Sequence, residues 1–272
     1  MTEGHGRAVR HLQLPDPLAE ALRWSLAVLA WLIVMAVGSS TAVALGPYGL
    51  GSSRTASASA AAAREGALFS GSITSTSHYC SASVVDSPGG DVIITAAHCL
   101  PSSPGSTVFV PGYRDGQAPY GIWPVLQTVE STNWTANTDP DYDVAFGVLG
   151  ALHGKEIEQV VGANRLGVNL GTNQVVTLTG YPDGAGAPIT CSNNIAMFGS
   201  TQMRIACADY TDGTSGSPWV ISGKLGPKHD EGTVLGVIGG FEQGGYTPDV
   251  SYSVYFDNNV SLLYQQAISM VR

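Results

Sequence analysis

Downstream of Leu68 the chain alternates short apolar-and-polar runs with clusters of Gly, Pro, Asp and Asn. Alternation with a period of two marks half-buried strands, and the clusters mark turns. The pattern predicts strands over Phe69–Ser72, Ser81–Val85, Asp91–Thr95, Thr107–Pro111, Ile122–Glu130 and Val144–Val148. A second set follows over Val175–Gly180, Ile189–Ser192, Met203–Ala206, Trp219–Ser222, Thr233–Gly240 and Ser251–Tyr255. Gly150 divides the two sets equally. Only the end reads as a helix: Asp257 caps a run that puts Leu262, Leu263, Ala267 and Ile268 on one face. The fold class is all-β, a sandwich or barrels, with a C-terminal helix.

The pattern ahead of Leu68 is different. Trp24–Val37 is a short apolar run preceded by Arg7, Arg10 and Arg23 and followed by the small-x-small triplet Ala42-Val43-Ala44. That order describes a secretory signal peptide over 1–44. The acids Glu3, Asp16 and Glu20 offset the leading positive charge, so an uncleaved signal anchor is the alternative, which would tether the chain to a membrane. Residues 45–66 are rich in Gly, Ser and Ala and read as a linker or pro-segment. Their "ASASAAAARE" stretch offers no apolar face for a stable helix. A folded domain is expected to begin near Ala67. Both readings of the N-terminus place the rest of the chain outside the cell.

Charge narrows the partners. The chain of 272 residues carries a net charge of −9 with a pI near 4.9 and has no basic cluster. Phosphate backbones need clustered Lys and Arg, so nucleic acid is excluded as a partner. The four cysteines, Cys80, Cys99, Cys191 and Cys207, suit an exported protein. Sequence leaves three pairings open. His78 and His98 beside Cys80 and Cys99 raise a metal site, but there is no Cys-x-x-Cys and no metal is expected.

Three stretches carry candidate chemistry: Ile94–Cys99 ("ITAAHC"), Asp141–Phe146 ("DYDVAF") and Asp212–Trp219 ("DGTSGSPW"). Taken singly, His98, Asp143 and Ser215 are a packed histidine, a strand start and a turn residue. Together they supply what acyl transfer requires. A serine hydroxyl is protonated at neutral pH and needs a base, which histidine provides. The imidazole needs a carboxylate to fix its tautomer, and the oxyanion needs backbone N–H donors. The order is His, Asp, Ser. An α/β-hydrolase would run Ser, acid, His around Gly-x-Ser-x-Gly, and Ser217 breaks that motif. A subtilisin order needs the acid before the histidine, at Asp86 or Asp91, and lacks the α/β pattern.

"TAAHC", "DVAF" and "GTSGSP" in this order resemble the signatures of trypsin-like (chymotrypsin-fold) serine endopeptidases. The Ser-Gly-Ser-Pro ending is similar to secreted bacterial members, the glutamyl endopeptidase group among them. The resemblance spans roughly residues 68–269. It implies two six-stranded antiparallel β-barrels, here over 67–155 and 156–272, with the site between them. It implies His98 as general base, Asp143 as its orienting acid in preference to Asp139 and Asp141, and Ser215 as nucleophile. Gly213 and Ser215 would donate the oxyanion-hole N–H groups. A disulfide would join Cys80 to Cys99, leaving Cys191 and Cys207 to brace the second barrel. Asp209, six places before the serine, with Gly239 and Gly240 would line the substrate pocket, and Phe241 would narrow it or pack beside it. The segment 236–241 would pair with the substrate backbone. Thr214 stands where animal members carry the aspartate of their activation ion pair, so that switch is missing. The expectation is a monomeric, cofactor-free endopeptidase acting on protein or peptide, with a serine esterase or a non-enzymatic secreted binding module as alternatives.

Overall fold

The computed structural model describes residues 49–71, 73, 77–103, 105–223 and 231–270. The apolar run 24–37 and the triplet 42–44 lie outside these residues. Among the described residues no helix is long and apolar enough to cross a membrane.

The described chain starts with a short strand β1 (Arg54–Thr55) and one helical turn α1 (Ala60–Ala63). A closed antiparallel barrel follows, built from β2 (Glu65–Ser70), β3 (His78–Val85), β4 (Val92–Thr95), β5 (Thr107–Pro111), β6 (Trp123–Glu130) and β7 (Ala145–Leu149). Its circuit is β2-β3-β4-β7-β6-β5, closed by the pairing of β5 with β2. The "VIIT" of β4 is buried throughout because both of its faces are covered. Ile93 points into the barrel with Leu68, Phe109 and Trp123. Val92 and Ile94 point outward, where the C-terminal helix lays Val260, Leu263 and Ala267 against them. Short helices α2 (Thr132–Asn137) and α3 (Ile157–Val161), which no periodicity announced, cap the connections.

The second half forms one eight-stranded sheet. Its strands are β8 (Arg165–Leu166), β9 (Val175–Gly180), β10 (Ile189–Phe198), β11 (Gln202–Ala206), β12 (Pro218–Ile221), β13 (Thr233–Val237) and β14 (Val250–Val254), with β1 added to β10. The order is β14-β11-β10-β9-β12-β13-β8. Strand β10 is shared: Ile189–Asn194 pairs with β9 and Ile195–Phe198 with β11. The expected second six-stranded barrel is therefore found as a sheet with β14 and β8 at its edges. One backbone bond, from the Gly239 N–H to the Tyr252 carbonyl at 3.0 Å, crosses between the end of β13 and β14. The last helix, α4 (Asn258–Ser269), is capped as the sequence predicts, with Asp257 accepting from the N–H groups of Asn259 and Val260.

The stretch read as a linker or pro-segment is stitched into both halves. Gly51 exchanges backbone bonds with Ala206 and Ala208, each 3.0 Å, and β1 pairs with Ile189 and Thr190. The Ala56 N–H donates to the Pro188 carbonyl at 2.8 Å. In α1 one of the four alanines is buried: Ser59 caps the turn and Ala63 joins the barrel core. Strand β2 then begins at Glu65, ahead of the expected start at Phe69, because Glu65 and Gly66 continue the ladder to Ser83 and Ala82.

Glu65 is only 6% exposed. Burial pushes its carboxyl up to about 8, against the lowering effects of a Thr179 hydrogen bond and the nearby Arg64 guanidinium. The unfolded chain releases this proton near pH 4.5, the folded chain near 8. Between these values the folded state binds more protons, so stability falls as pH rises and levels off above about 8. Glu65→Gln is expected to flatten this slope and to raise the melting temperature most at pH 8. Melting curves from pH 5 to 8 with parallel slopes for the two proteins would refute the assignment.

Candidate active site

His98 sits just beyond β4. The strand ends at Thr95, Ala96 remains extended, and a 3-10 turn over Ala97–Cys99 swings the imidazole out. Cys99 is tied back to Cys80 of β3 by a disulfide. The second bridge, Cys191–Cys207, joins the start of β10 to the segment after β11. Both pairings are those that the resemblance implied. Cys80, His98 and Cys99 are the only cluster among the described residues with metal-ligand geometry, and the disulfide leaves them no thiolate.

Asp143 is fully buried at the end of a 3-10 turn over Pro140–Tyr142, just before β7. Its Oδ2 lies 2.8 Å from His98 Nδ1, and its Oδ1 accepts the His98 backbone N–H at 3.0 Å. A third donor, the Gly240 N–H, reaches Oδ2 at 2.9 Å. A buried carboxylate needs such donors, and here it has three. A carboxylate only accepts, so His98 Nδ1 donates this hydrogen bond, which in the neutral imidazole makes Nε2 the lone-pair site. The rival aspartates do other work. Asp139 caps the turn by accepting the Asp141 N–H, and Asp141 accepts from Thr201 Oγ1 at 2.9 Å and Gln202 Nε2 at 2.7 Å.

Ser215 is half-buried on the loop before β12, between two glycines in left-handed conformation, Gly213 at φ 85 and Gly216 at φ 79. Both positions also demand glycine by contact. A Cβ at 213 would stand 2.7 Å from the Tyr181 carbonyl, and one at 216 would stand 2.0 Å from Thr95 Oγ1. The loop meets the first barrel directly, because the Ser81 N–H donates to the Ser215 carbonyl at 2.7 Å. Thr214, Gly216 and Ser217 donate their N–H groups to Thr211, Ile238 and Thr214 respectively. Among the described residues the N–H groups of Gly213 and Ser215 have no such acceptor. Thr214 is buried and its Oγ1 donates to the Thr211 carbonyl at 2.6 Å.

The residues expected at the substrate pocket are placed less simply. Asp209 is exposed at a turn with φ 69. Gly239 and Gly240 lie against Asp143. The Gly240 carbonyl accepts the Gln243 N–H at 2.9 Å, and the Phe241 N–H donates to Gln202 Oε1 at 2.7 Å. The Gly239 carbonyl accepts no backbone N–H among the described residues. Phe241 packs with Phe198, Tyr246 and Tyr252 at ring separations of 5.0–5.6 Å. An open cleft of about 690 Å³ runs beside His98, lined by Tyr79, Glu130, Trp134 and Gln243 among others. Burial pushes the Glu130 carboxyl up. Sequence reasoning missed the part of Gly240 as third donor to Asp143. A Gly-Gly pair ending a predicted strand was the available signal, since it marks close backbone approach.

A closed antiparallel barrel carrying a histidine–aspartate pair, facing a second sheet with a glycine-flanked serine, defines a serine protease of the chymotrypsin fold. The chain belongs to the trypsin family, whose model ("Trypsin") matches residues 58–260. Its members are serine endopeptidases, and the chain is a hydrolase of this class. It is similar to the protease Anisep from Arthrobacter nicotinovorans, at 26% identity and a TM-score of 0.66 over 80% of this chain and 99% of that one. It is also similar to the thermostable serine protease AL20 from an extremophilic microorganism, at 28% identity and a TM-score of 0.65 over 78% of this chain and 100% of that one. A Glu endopeptidase shares the fold at 16% identity and a TM-score of 0.63, over 84% and 100% of the two chains. No curated protein sequence matches the chain.

Proposed function

We propose that the chain is an exported serine endopeptidase that cleaves peptide bonds through an acyl-enzyme, with Ser215 as nucleophile, His98 as general base and Asp143 as the acid that orients it. The observation that carries this reading is the 2.8 Å contact from His98 Nδ1 to a fully buried Asp143 in a chain of the trypsin family. With Nδ1 protonated, Nε2 takes the Ser215 proton as Oγ bonds to the scissile carbonyl carbon. The carbonyl oxygen becomes an oxyanion and accepts the N–H groups of Gly213 and Ser215. When the tetrahedral intermediate collapses, the C–N bond breaks and His98 returns its proton to the leaving amine. Water, activated by the same Nε2, then hydrolyses the ester. Asp143 stays ionised and stabilises the imidazolium each time it forms.

The rest of the chain supports the reading. The second sheet serves as the family's second barrel, drawn together by the Gly239–Tyr252 bond. The division falls near residue 155, with His98 and Asp143 before it and Ser215 after it. Residues 1–44 direct export as a signal peptide or anchor, and two disulfides suit an oxidising compartment. The enzyme works as a monomer.

A fluorophosphonate probe is expected to label the folded protein once, on the peptide that contains Ser215, and a peptide library is expected to be cleaved. A folded protein that takes no label and cleaves nothing would overturn the proposal. Turnover of short esters without peptide cleavage would replace it with an esterase.

A further inference from the structure

A second serine touches the nucleophile loop from the opposite half of the molecule. Ser81, on β3, is 1% exposed and makes four hydrogen bonds. Its N–H donates to the Ser215 carbonyl at 2.7 Å, and its carbonyl accepts Thr95 Oγ1–H at 2.7 Å. Its Oγ–H donates to the Gly213 carbonyl at 3.1 Å, and the same Oγ accepts the Tyr181 N–H at 2.9 Å. The hydroxyl has one proton to give, and it goes to Gly213.

Peptide planarity turns these contacts into a constraint on Ser215. The Gly213 carbonyl and the Thr214 N–H form one rigid plate. Ser81 Oγ holds one edge, and the Thr211 carbonyl holds the other at 3.1 Å. The Ser215 carbonyl and the Gly216 N–H form a second plate, held by the Ser81 N–H and by the Ile238 carbonyl at 2.7 Å. The Ser215 N–H belongs to the plate between these two, and the Gly213 N–H to the plate just before them. Gly213 and Gly216 leave the loop conformationally permissive on both sides. The plate carrying the Gly213 N–H is held by the Asp183 N–H on the Asp212 carbonyl at 2.6 Å, and the plate carrying the Ser215 N–H by the Ser217 N–H and Oγ on the Thr214 carbonyl at 3.0 and 2.6 Å. The Ser81 contacts hold the two plates on either side of the Ser215 N–H.

We propose that the Ser81 hydroxyl is a positioning residue that sets the oxyanion donors of Gly213 and Ser215. It rests on the reading of Ser215 as nucleophile. Because Cys80 precedes Ser81 and is bonded to Cys99, the base and the oxyanion donors take their positions from the same turn of β3. Without the hydroxyl, the Gly213 carbonyl loses one of the two contacts that hold its plate, the other being the Thr214 N–H on the Thr211 carbonyl, and the oxyanion donors on either side of that plate are held less closely toward the reacting oxygen.

The test compares Ser81→Ala with wild type on one peptide substrate. Ser81→Ala is expected to lower kcat by about 10- to 100-fold, below the loss of about 10²–10³ seen when an oxyanion donor is removed outright, while KM stays within about threefold. Affinity for a peptidyl trifluoromethyl ketone, whose hemiketal with Ser215 carries an oxyanion, is expected to fall by the same factor as kcat. Ser81→Thr keeps the hydroxyl and is expected to restore both. Ser83→Ala is the structural control: this serine is also fully buried on β3, bonded to Val84 and Asn164, and its loss should lower stability but not kcat. A kcat for Ser81→Ala within twofold of wild type, or ketone affinity unchanged while kcat falls, overturns the inference. Should Ser81→Ala not fold, Ser81→Gly takes its place, and if neither folds the hydroxyl is a folding element and the inference is overturned. An active wild type with an indifferent Ser81→Ala refutes this inference alone. A wild type that neither cleaves nor labels removes the functional reading and this inference with it.

Discussion

Ser215→Ala is expected to fold as wild type and to lose about a millionfold in kcat, the scale on which a triad's nucleophile acts. The fold survives because the loop is held by backbone groups. The Ser215 carbonyl is anchored to Ser81, and the neighbouring N–H groups of Thr214, Gly216 and Ser217 are all engaged. Alanine keeps every one of these bonds and tolerates the same backbone. The residual rate should stand about 10³–10⁴ above water, because binding and the oxyanion donors remain. Single-turnover cleavage of a peptide, read beside a melting curve, measures both parts. A variant retaining more than a few per cent of wild-type kcat, free of wild-type contamination, would show that another residue attacks the substrate.

Asp143→Asn is expected to lower kcat by about 10⁴-fold, and here the cause is orientation. The carboxylate meets three N–H donors, two on Oδ2 and one on Oδ1. An amide offers one oxygen and one NH₂, so it cannot accept on both sides. If the amide oxygen faces His98 Nδ1 and Gly240, the NH₂ confronts the His98 backbone N–H. If it turns over, the NH₂ confronts Gly240 and donates to Nδ1. That orientation forces the proton onto Nε2, where it blocks the base. Either orientation also leaves a buried donor unpaired at about 1–3 kcal/mol. The variant should therefore melt at lower temperature as well as react slowly, unlike Ser215→Ala. A kcat within tenfold of wild type at neutral pH would mean that Asp143 does not set the tautomer.

The two substitutions fall on residues that were readable from sequence, and the reason is physical. His98, Asp143 and Ser215 each follow or precede a short, mostly apolar strand, and the turns that present them need Gly, Ala or Pro at fixed places. The cysteine pairs were readable once the family pattern was in view. What escaped were features without periodicity. Strands of two residues, such as β1 and β8, cannot show a period of two, so the sheet gained members that no pattern announced. β10 runs past its expected end at Ser192 because Asn193 and Asn194 pair with β9, although both side chains disfavour strands. Glu65 looked like the charged end of a linker, and only burial against Thr179 and Tyr181 makes it part of the interior. Predicted strand 233–240 stops at Val237 because its last residues leave the ladder to reach Asp143. Asp209 shows the converse: its position relative to Ser215 was legible, but the turn that exposes it was not.

The stitching of residues 51–56 into the second sheet also shields a disulfide. Gly51 lies against the sulfurs of Cys191 and Cys207, where a Cβ would come within 2.7 Å of Cys191 Sγ. Its N–H and carbonyl clamp Ala206 and Ala208, on the segment that leads to the nucleophile loop. Removing residues 51–56 would strip β1 from β10 and uncover the Cys191–Cys207 disulfide, so this short segment works as a cover for the bridge.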